Sequence, residues 1–434
     1  FASSQFSTSR IEDIRQRVLQ MFNADPADFD VVFVANATAG IKLVAEAFRA
    51  APNGFDYVYH QSSHTSLIGV RQEAQNSICI DDAAIVDWLN DQTPVCGANS
   101  PRATLFAYPA QSNLDGRRFP LQWCHSLRAK DAAASSVGGS GQYYSLLDAA
   151  AYVSTASLDF SDSDSAPDFT VLSFYKIFGF PDLGALIVRR HSAPILLNRR
   201  YFGGGIVDLV VCGPEQWHAV KDQNVHDALE DGTLPIHSIM ALDVAMDIHL
   251  RLFGTMHDIG RHTSYLAKRL IHRLQALRHR NGASVCVVYA NKSQDHSDLG
   301  AGAVVALNLR DENGAWVSLD EFQKVASLKG FHLRTGGICN PGGISATLEL
   351  TPWEIKRNYA QGFRCGAGND IVQGKPTGVI RLSLGPMSTE SDIDKIINFV
   401  REFYCTESVA ANHTSIQDGQ SAPDGFIEHI IVYP

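Results

Sequence analysis

Paired cysteines are missing from this chain. Its eight cysteines, at 79, 96, 124, 212, 286, 339, 365 and 405, are scattered with no CxxC among them. That excludes a zinc-ribbon pattern and the disulfide framework of a small secreted domain, and leads us to expect reduced thiols in a cytoplasmic protein. The HExxH pattern is also absent, and most of the sixteen histidines stand alone, so no metal-ligand spacing can be read. No apolar run reaches the ~20 residues of a membrane-spanning helix, and the opening residues lack the order of a secretory signal. Positive charge is in deficit: the formal net charge is −10, which argues against nucleic acid or an anionic membrane surface as the main partner. In such a setting the N-x-S/T triplets at Asn36, Asn291 and Asn412 read as chance matches. The chain starts at Phe1 rather than Met, and either a fragment or a defective gene model is expected.

What is present is ample material for buried cores. With 434 residues, 45% hydrophobic and 19% charged, the chain has the balance of a soluble globular protein of two or three domains. Short apolar runs at Val31–Val34, Phe55–Tyr59, Ala103–Tyr108, Tyr144–Leu147, Phe169–Leu172 and Gly184–Val188 alternate with helical patterns. Such an alternation predicts an α/β fold with a mostly parallel sheet covered by helices. Ser9-Arg-Ile-Glu12 predicts a capped helix start. Beyond about Met240 the pattern mixes short strands with helices near Leu319 and Glu390, which predicts a smaller α+β domain over 241–406 after a large domain over 1–240. Residues 407–424 read as a polar linker and 425–434 as the first strand of a further, truncated domain. Ala132–Gly141 and Asp159–Asp168 read as flexible surface insertions.

The centre of the chemistry is Phe169–Val188, in which Lys176 sits in a polar turn between two apolar strands. A lysine held there is a candidate for Schiff-base chemistry with a carbonyl, against the plainer alternative of a lysine in a surface hairpin loop. Thr38, His64, Asn113, Asp148 and Lys176 all fall just after strand ends. In parallel α/β sheets ligands bind beyond those ends. The turn Asn36–Gly40 opens a helix, a weak signal for a phosphate.

Four segments, Asn36-Ala-Thr-Ala-Gly40, Ser173–Gly179, Tyr201-Phe-Gly-Gly-Gly205 and Arg334–Gly342, together resemble the class V, fold-type I family of pyridoxal 5′-phosphate enzymes. That family includes the cysteine desulfurases. Within it they are most similar to the N-terminal domain of the molybdenum cofactor sulfurase branch. The resemblance implies fold type I and, at each matching position, a role. Lys176 would hold the cofactor covalently and move the proton at the substrate Cα. Asp148 would pair with the ring nitrogen, His64 would stack on the ring, and Asn113 would bond its phenolic oxygen. Thr38 and Ser173 would hold the phosphate, while Gly232 and Thr233 would reach the phosphate of a neighbouring subunit, which implies a homodimer. Arg334 and Arg381 would grip the α-carboxylate of L-cysteine, a task suited to arginine's planar fork.

Cys339 lies among Gly336, Gly337, Pro341, Gly342 and Gly343, so a mobile, accessible loop is expected, with its thiol taking the sulfur and leaving alanine. Cys79, Cys212 and Cys286 instead read as small buried hydrophobes. The sulfur acceptor implied is molybdenum cofactor, with xanthine dehydrogenase and aldehyde oxidase as clients. Two alternatives stay open: a class V desulfurase, lyase or aminotransferase serving another acceptor, and a truncated cofactor-binding paralogue without turnover. Tyr175, where bacterial desulfurases carry histidine, fits the sulfurase branch. Ala151 replaces a glutamine of those relatives, and a substrate-site segment of the family is not found before Phe1.

Overall fold

The computed structural model describes residues 2–90, 102–136, 142–289, 302–364, 366, 368 and 370–406. The chain begins with helix α1 (Ala2–Met21) and strand β1 (Phe29–Val34), followed by α2 (Ala37–Ala50) and β2 (Phe55–His60). The short α3 (Thr65–Gly69), then β3 (Asn76–Ile80), α4 (Asp82–Asn90), β4 (Ala103–Pro109), α5 (Gln122–Ser136) and β5 (Tyr143–Asp148) continue the alternation. It ends with β6 (Phe169–Ser173), the one-turn α6 (Tyr175–Phe178) and β7 (Gly184–Arg189).

These seven strands form one sheet in the order β1-β7-β6-β5-β4-β2-β3. All run parallel except β7, which lies antiparallel between β6 and β1. The reversal follows from the short β6–β7 connection, because parallel neighbours need a long crossover. Buried side chains form an apolar layer on each face, one including Val58, Phe106 and Leu172, the other Val32, Phe55 and Val171. Strands covered on both faces become near-continuous apolar runs, the pattern seen in the sequence.

Several expectations are corrected. Ser9 does not cap a helix, since α1 already runs from Ala2; no glycine or proline before Ser9 breaks the helical stretch. Residues 159–168 are packed rather than loose. Phe160 stacks on Phe29 at 5.5 Å, and the Asp168 carboxylate accepts from Ser145 Oγ and Ser192 Oγ. Residues 137–141 and the expected linker and strand at 407–434 lie outside the described residues.

After β7 a hairpin of β8 (Val207–Val211) and β9 (Trp217–Val220) stands apart from the main sheet. A loop then reaches α7 (Ile236–Phe253), which sends Ile239 and Leu242 into the first core. Helix α8 (Met256–Ala276) instead serves a second core, through Leu266, Leu270 and Leu274. That core covers β10 (Cys286–Val288), β11 (Val304–Leu309), α9 (Leu319–Leu328) and β12 (Arg334–Gly336). Then come α10 (Pro341–Thr347), α11 (Pro352–Ala360), the two-residue ladder of β13 (Ile371–Val372) and β14 (Lys375–Pro376), β15 (Val379–Ser383) and α12 (Glu390–Tyr404). The second sheet has the order β10-β11-β15-β12, antiparallel throughout.

Buried ions tie α1 to β1 and to the loop before α7. Arg15, 2% exposed, pairs with Glu230 at 2.7 Å, and Glu230 also accepts the Phe33 N–H. His226 bonds the Asp30 carboxylate at 2.9 Å.

Candidate active site

Beyond the carboxyl ends of β1, β2, β4, β5 and β6 lies a cavity of about 470 Å³, closed on its far side by β12, β15 and the turn before α10. Its walls include Thr38, His64, Asn113, Asp148, Ser173, Lys176, Arg334, Cys339 and Arg381. Nine of the eleven site residues singled out in the sequence therefore meet in one space. Gly232 and Thr233 do not. They lie in the loop before α7, where the Gly232 N–H donates to Gly204 O at 2.6 Å, and Thr233 borders a separate surface groove with Phe33 and Lys42.

The cavity floor is set by close packing. Asn36 Oδ1 accepts from Ala39 N and caps α2. A Cβ on Gly40 would stand 2.9 Å from Val171 Cγ1, so only glycine lets α2 lie this near β6. The start of α2 thus meets the end of β6, where Ser173 Oγ accepts the Ala37 N–H at 3.0 Å. Thr38 Oγ1 and Ser66 Oγ are 2.8 Å apart. The positive end of the helix dipole together with these hydroxyls suits a phosphate.

Lys176 lies in α6 rather than in an open turn, one helical turn past β6. Among the described residues its amine has no ion pair or hydrogen bond. Asp148 ends β5 and is 8% exposed; its Oδ1 accepts from Ala150 N at 3.0 Å, yet no cation pairs with it among the described residues. That bond uses one carboxylate oxygen only, and a turn rather than a helix follows β5. His64 caps α3: Ser66 N donates to its Nδ1 at 3.1 Å. The acceptor role at Nδ1 places the proton of the neutral ring on Nε2. Burial, opposed by the Asp148 charge and aided by Lys176, lowers the His64 pKa and so favours the neutral ring.

The opposite wall is cationic. Arg381, 6% exposed, lies beside Arg334 across β15 and β12. Its Nη1 donates to Asn113 O at 3.0 Å, while its buried Nε has no partner. Burial and the like charge of Arg334 pull its pKa down to about 10. A buried guanidinium without a carboxylate is costly, and an anionic ligand relieves the cost. Ser383, two residues on along the same strand face, also lines the cavity with an unpartnered hydroxyl, as does Thr155. The period-2 relation to Arg381 was the signal that could have found Ser383; nothing local marks Thr155.

Cys339 is exposed and borders the cavity. Its loop is not the loose one expected. Asn113 Nδ2 donates to Ile338 O at 2.7 Å, Thr65 N to Cys339 O at 2.9 Å, and Asn340 Nδ2 to Ser62 O at 3.0 Å. Gly342 is in contact with the large domain: a Cβ there would be 2.0 Å from Gln61 O. Gly342 and Gly343, where a Cβ would stand 2.6 Å from Asn340 Oδ1, thus serve close approach rather than motion. Asn113 accordingly spends one amide hydrogen on the loop and keeps one. Of the cysteines read as buried, Cys286 is buried, but Cys79 and Cys212 are exposed. They sit on the edge strand β3 and just after β8, where no further strand among the described residues covers them.

Residues 2–396 match the class-V aminotransferase family, and the chain belongs to that family. Two curated relatives are molybdenum cofactor sulfurases. That of Chaetomium globosum is 59% identical over 95% of this chain and 52% of its own length. That of Neurospora crassa is 57% identical over the whole chain and 46% of its own length. The chain therefore spans about half the length of the curated relatives it matches. Among solved structures, a cysteine desulfurase of Escherichia coli superposes with a TM-score of 0.64 at 20% identity, over 93% of this chain and 85% of that one. It shares the fold, an α/β architecture with a mostly parallel central sheet.

The site's own chemistry fits pyridoxal 5′-phosphate. A lysine and a buried carboxylate, each without an ion-pair partner among the described residues, share the cavity with a neutral imidazole and hydroxyls at a helix start. An electrophilic carbonyl, a protonated ring nitrogen, a flat ring and a phosphate would satisfy these groups in turn.

Proposed function

We propose that this chain removes sulfur from L-cysteine with pyridoxal 5′-phosphate, giving L-alanine and a persulfide on Cys339, and that the sulfur passes to molybdenum cofactor. Support comes above all from one observation: Lys176, Asp148, Arg381 and the exposed thiol of Cys339 line the same cavity. Lys176 would hold the cofactor, Asp148 its ring nitrogen, His64 its ring face, Asn113 its phenolic oxygen, and Thr38 and Ser173 its phosphate. When bound, the cofactor supplies an electron sink for the bonds at the substrate Cα.

The residues of the chain do the rest. Arg381 and Arg334 bind the carboxylate of L-cysteine and fix its orientation, trading a buried unpaired charge for a paired one. The Lys176 amine is the group placed to move a proton at Cα. The Cys339 thiolate attacks the substrate sulfur; the S–Sγ bond forms, the Cβ–S bond breaks, and a proton delivered to Cβ completes alanine. Molybdenum cofactor as acceptor follows from the name borne by the fungal relatives. Molybdenum enzymes such as xanthine dehydrogenase and aldehyde oxidase would then be the clients.

We also infer a homodimer in which Gly232 and Thr233 serve the partner's site. Both lie away from their own cavity, and the β8–β9 hairpin exposes Leu209, Val210 and Trp217, an apolar patch that a second subunit would cover. No helix among the described residues is long and apolar enough to cross a membrane, and the free thiols suit the reducing cytoplasm.

The test is alanine release from L-cysteine by the cofactor-loaded chain, with mass spectrometry of the Cys339 peptide. We expect alanine, one added sulfur atom on Cys339, and loss of both in Cys339→Ala. Undiminished alanine release by that variant would assign a lyase without a protein acceptor, and no release by the wild type would leave only a cofactor-binding protein.

A further inference from the structure

We propose that Asn340 is the positioning residue for the sulfur-accepting thiol: it locks the Cys339 turn to the two large-domain loops that carry His64 and Asn113. This rests on Cys339 being that thiol. Asn340 is fully buried, at 0% exposure. Its side-chain amide donates to Ser62 O and to Asn113 Oδ1, both at 3.0 Å, and its carbonyl oxygen accepts from Gly343 N at 2.9 Å. Both amide hydrogens and the oxygen are thus used. Its backbone N–H closes the turn on Gly337 O at 3.0 Å.

The turn needs such a lock. Ile338 and Cys339 both adopt positive φ, 50° and 52°, a region that non-glycine residues avoid and hold only where the surroundings over-determine it. Every anchor comes from the large domain: Asn113 to the Ile338 carbonyl, Thr65 to the Cys339 carbonyl, and Ser62 and Asn113 to Asn340. Asn113 therefore lies at the centre, bonded both to Asn340 and to the residue before the cysteine, and its own carbonyl accepts from Arg381. The thiol's stance, the carboxylate-binding arginine and the His64 loop are set by one connected network.

A plainer role competes, because Asn340 also caps α10. Asn340→Asp separates the two. Aspartate keeps the oxygen that accepts from Gly343 N and loses both donors to Ser62 and Asn113. The first readout is the iodoacetamide alkylation rate of Cys339 in the full chain, by peptide mass spectrometry, with exposed Cys79 and Cys212 as internal references. We expect Asn340→Asp and Asn340→Ala each to change that rate by roughly tenfold, the scale of a lost pair of buried hydrogen bonds, with the reference rates fixed. The second is kcat for alanine, expected to fall about tenfold while KM for cysteine holds, because Arg381 bonds the backbone carbonyl of Asn113 and Asn340 only its side chain. Wild-type rates in Asn340→Asp, for both alkylation and alanine, overturn the inference and leave a helix cap. Hydrogen exchange on the wild type needs no variant: the Thr65 amide must be protected, and exchange there at the rate of an open loop also overturns it. If the wild type releases no alanine, the proposed function fails, while the alkylation and exchange results still decide the role of Asn340.

Discussion

Arg381 offers a test in which stability and function move in opposite directions. Its guanidinium is 6% exposed and, among the described residues, faces no carboxylate and leaves Nε unpartnered. Burial, then repulsion from Arg334, lowers its pKa from 12.5 to about 10. At about 1.4 kcal/mol per pKa unit, that drop corresponds to roughly 3 kcal/mol by which folding disfavours the charged side chain. The full cost stands at neutral pH, below both values, and is relieved only as the pH rises through the lowered pKa. Arg381→Met removes the cost and gives up one hydrogen bond to Asn113 O, worth about 1 kcal/mol. The substrate-free chain is therefore expected to gain about 2 kcal/mol, read as a higher urea midpoint at unchanged slope. The same variant loses a charged, potentially bidentate carboxylate contact at about 1.5–3 kcal/mol per bond, so KM for L-cysteine should rise by one to two orders of magnitude or more. Arg381→Lys should stay close to wild type in stability and still bind cysteine poorly, because an ammonium lacks the fork. A lower urea midpoint for Arg381→Met would refute the burial reasoning. An unchanged KM would refute the carboxylate role.

Two further outcomes follow from other parts of the fold. Burial is the largest single influence on the His226 pKa and would lower it, but the bond to Asp30 together with the Asp30 and Glu12 charges outweighs that and raises it above 6.5. The stability it contributes is then complete below pH 6.5 and lost as the pH rises through the raised value, so the urea midpoint should fall on the alkaline side in the wild type and not in His226→Gln. Gly342→Ala forces a Cβ to within 2.0 Å of Gln61 O. It should cost roughly 1–3 kcal/mol and expose Cys339 to faster alkylation, whereas Gly337→Ala, with open space around it, should change the unfolding midpoint little.

Most elements that carry chemistry were legible because local physics writes them. Lys176, Asp148 and His64 stand just past apolar runs, and strand ends in a parallel sheet are where ligands bind. The errors share a cause as well. Ser9 looked like a cap because Ser-x-x-Glu is a local pattern, yet helix formation upstream overrode it. The 159–168 segment looked loose because it is polar, although Phe160 and Asp168 bury themselves against residues far along the chain. The glycines around Cys339 suggested motion, but the small size of Gly342 and Gly343 serves a tight docking instead.

By itself the sequence determined the alternation of strands and helices, the lysine at a strand end and the glycine turns, since periodicity and turn chemistry act over a few residues. Only the tertiary structure decided that β7 lies between β6 and β1, that Arg381 is buried with no counter-ion among the described residues, and that Asn340 grips Ser62 across 278 positions of chain. Such bonds are made between groups whose separation along the chain carries no pattern, and they exist only once two cores have packed together.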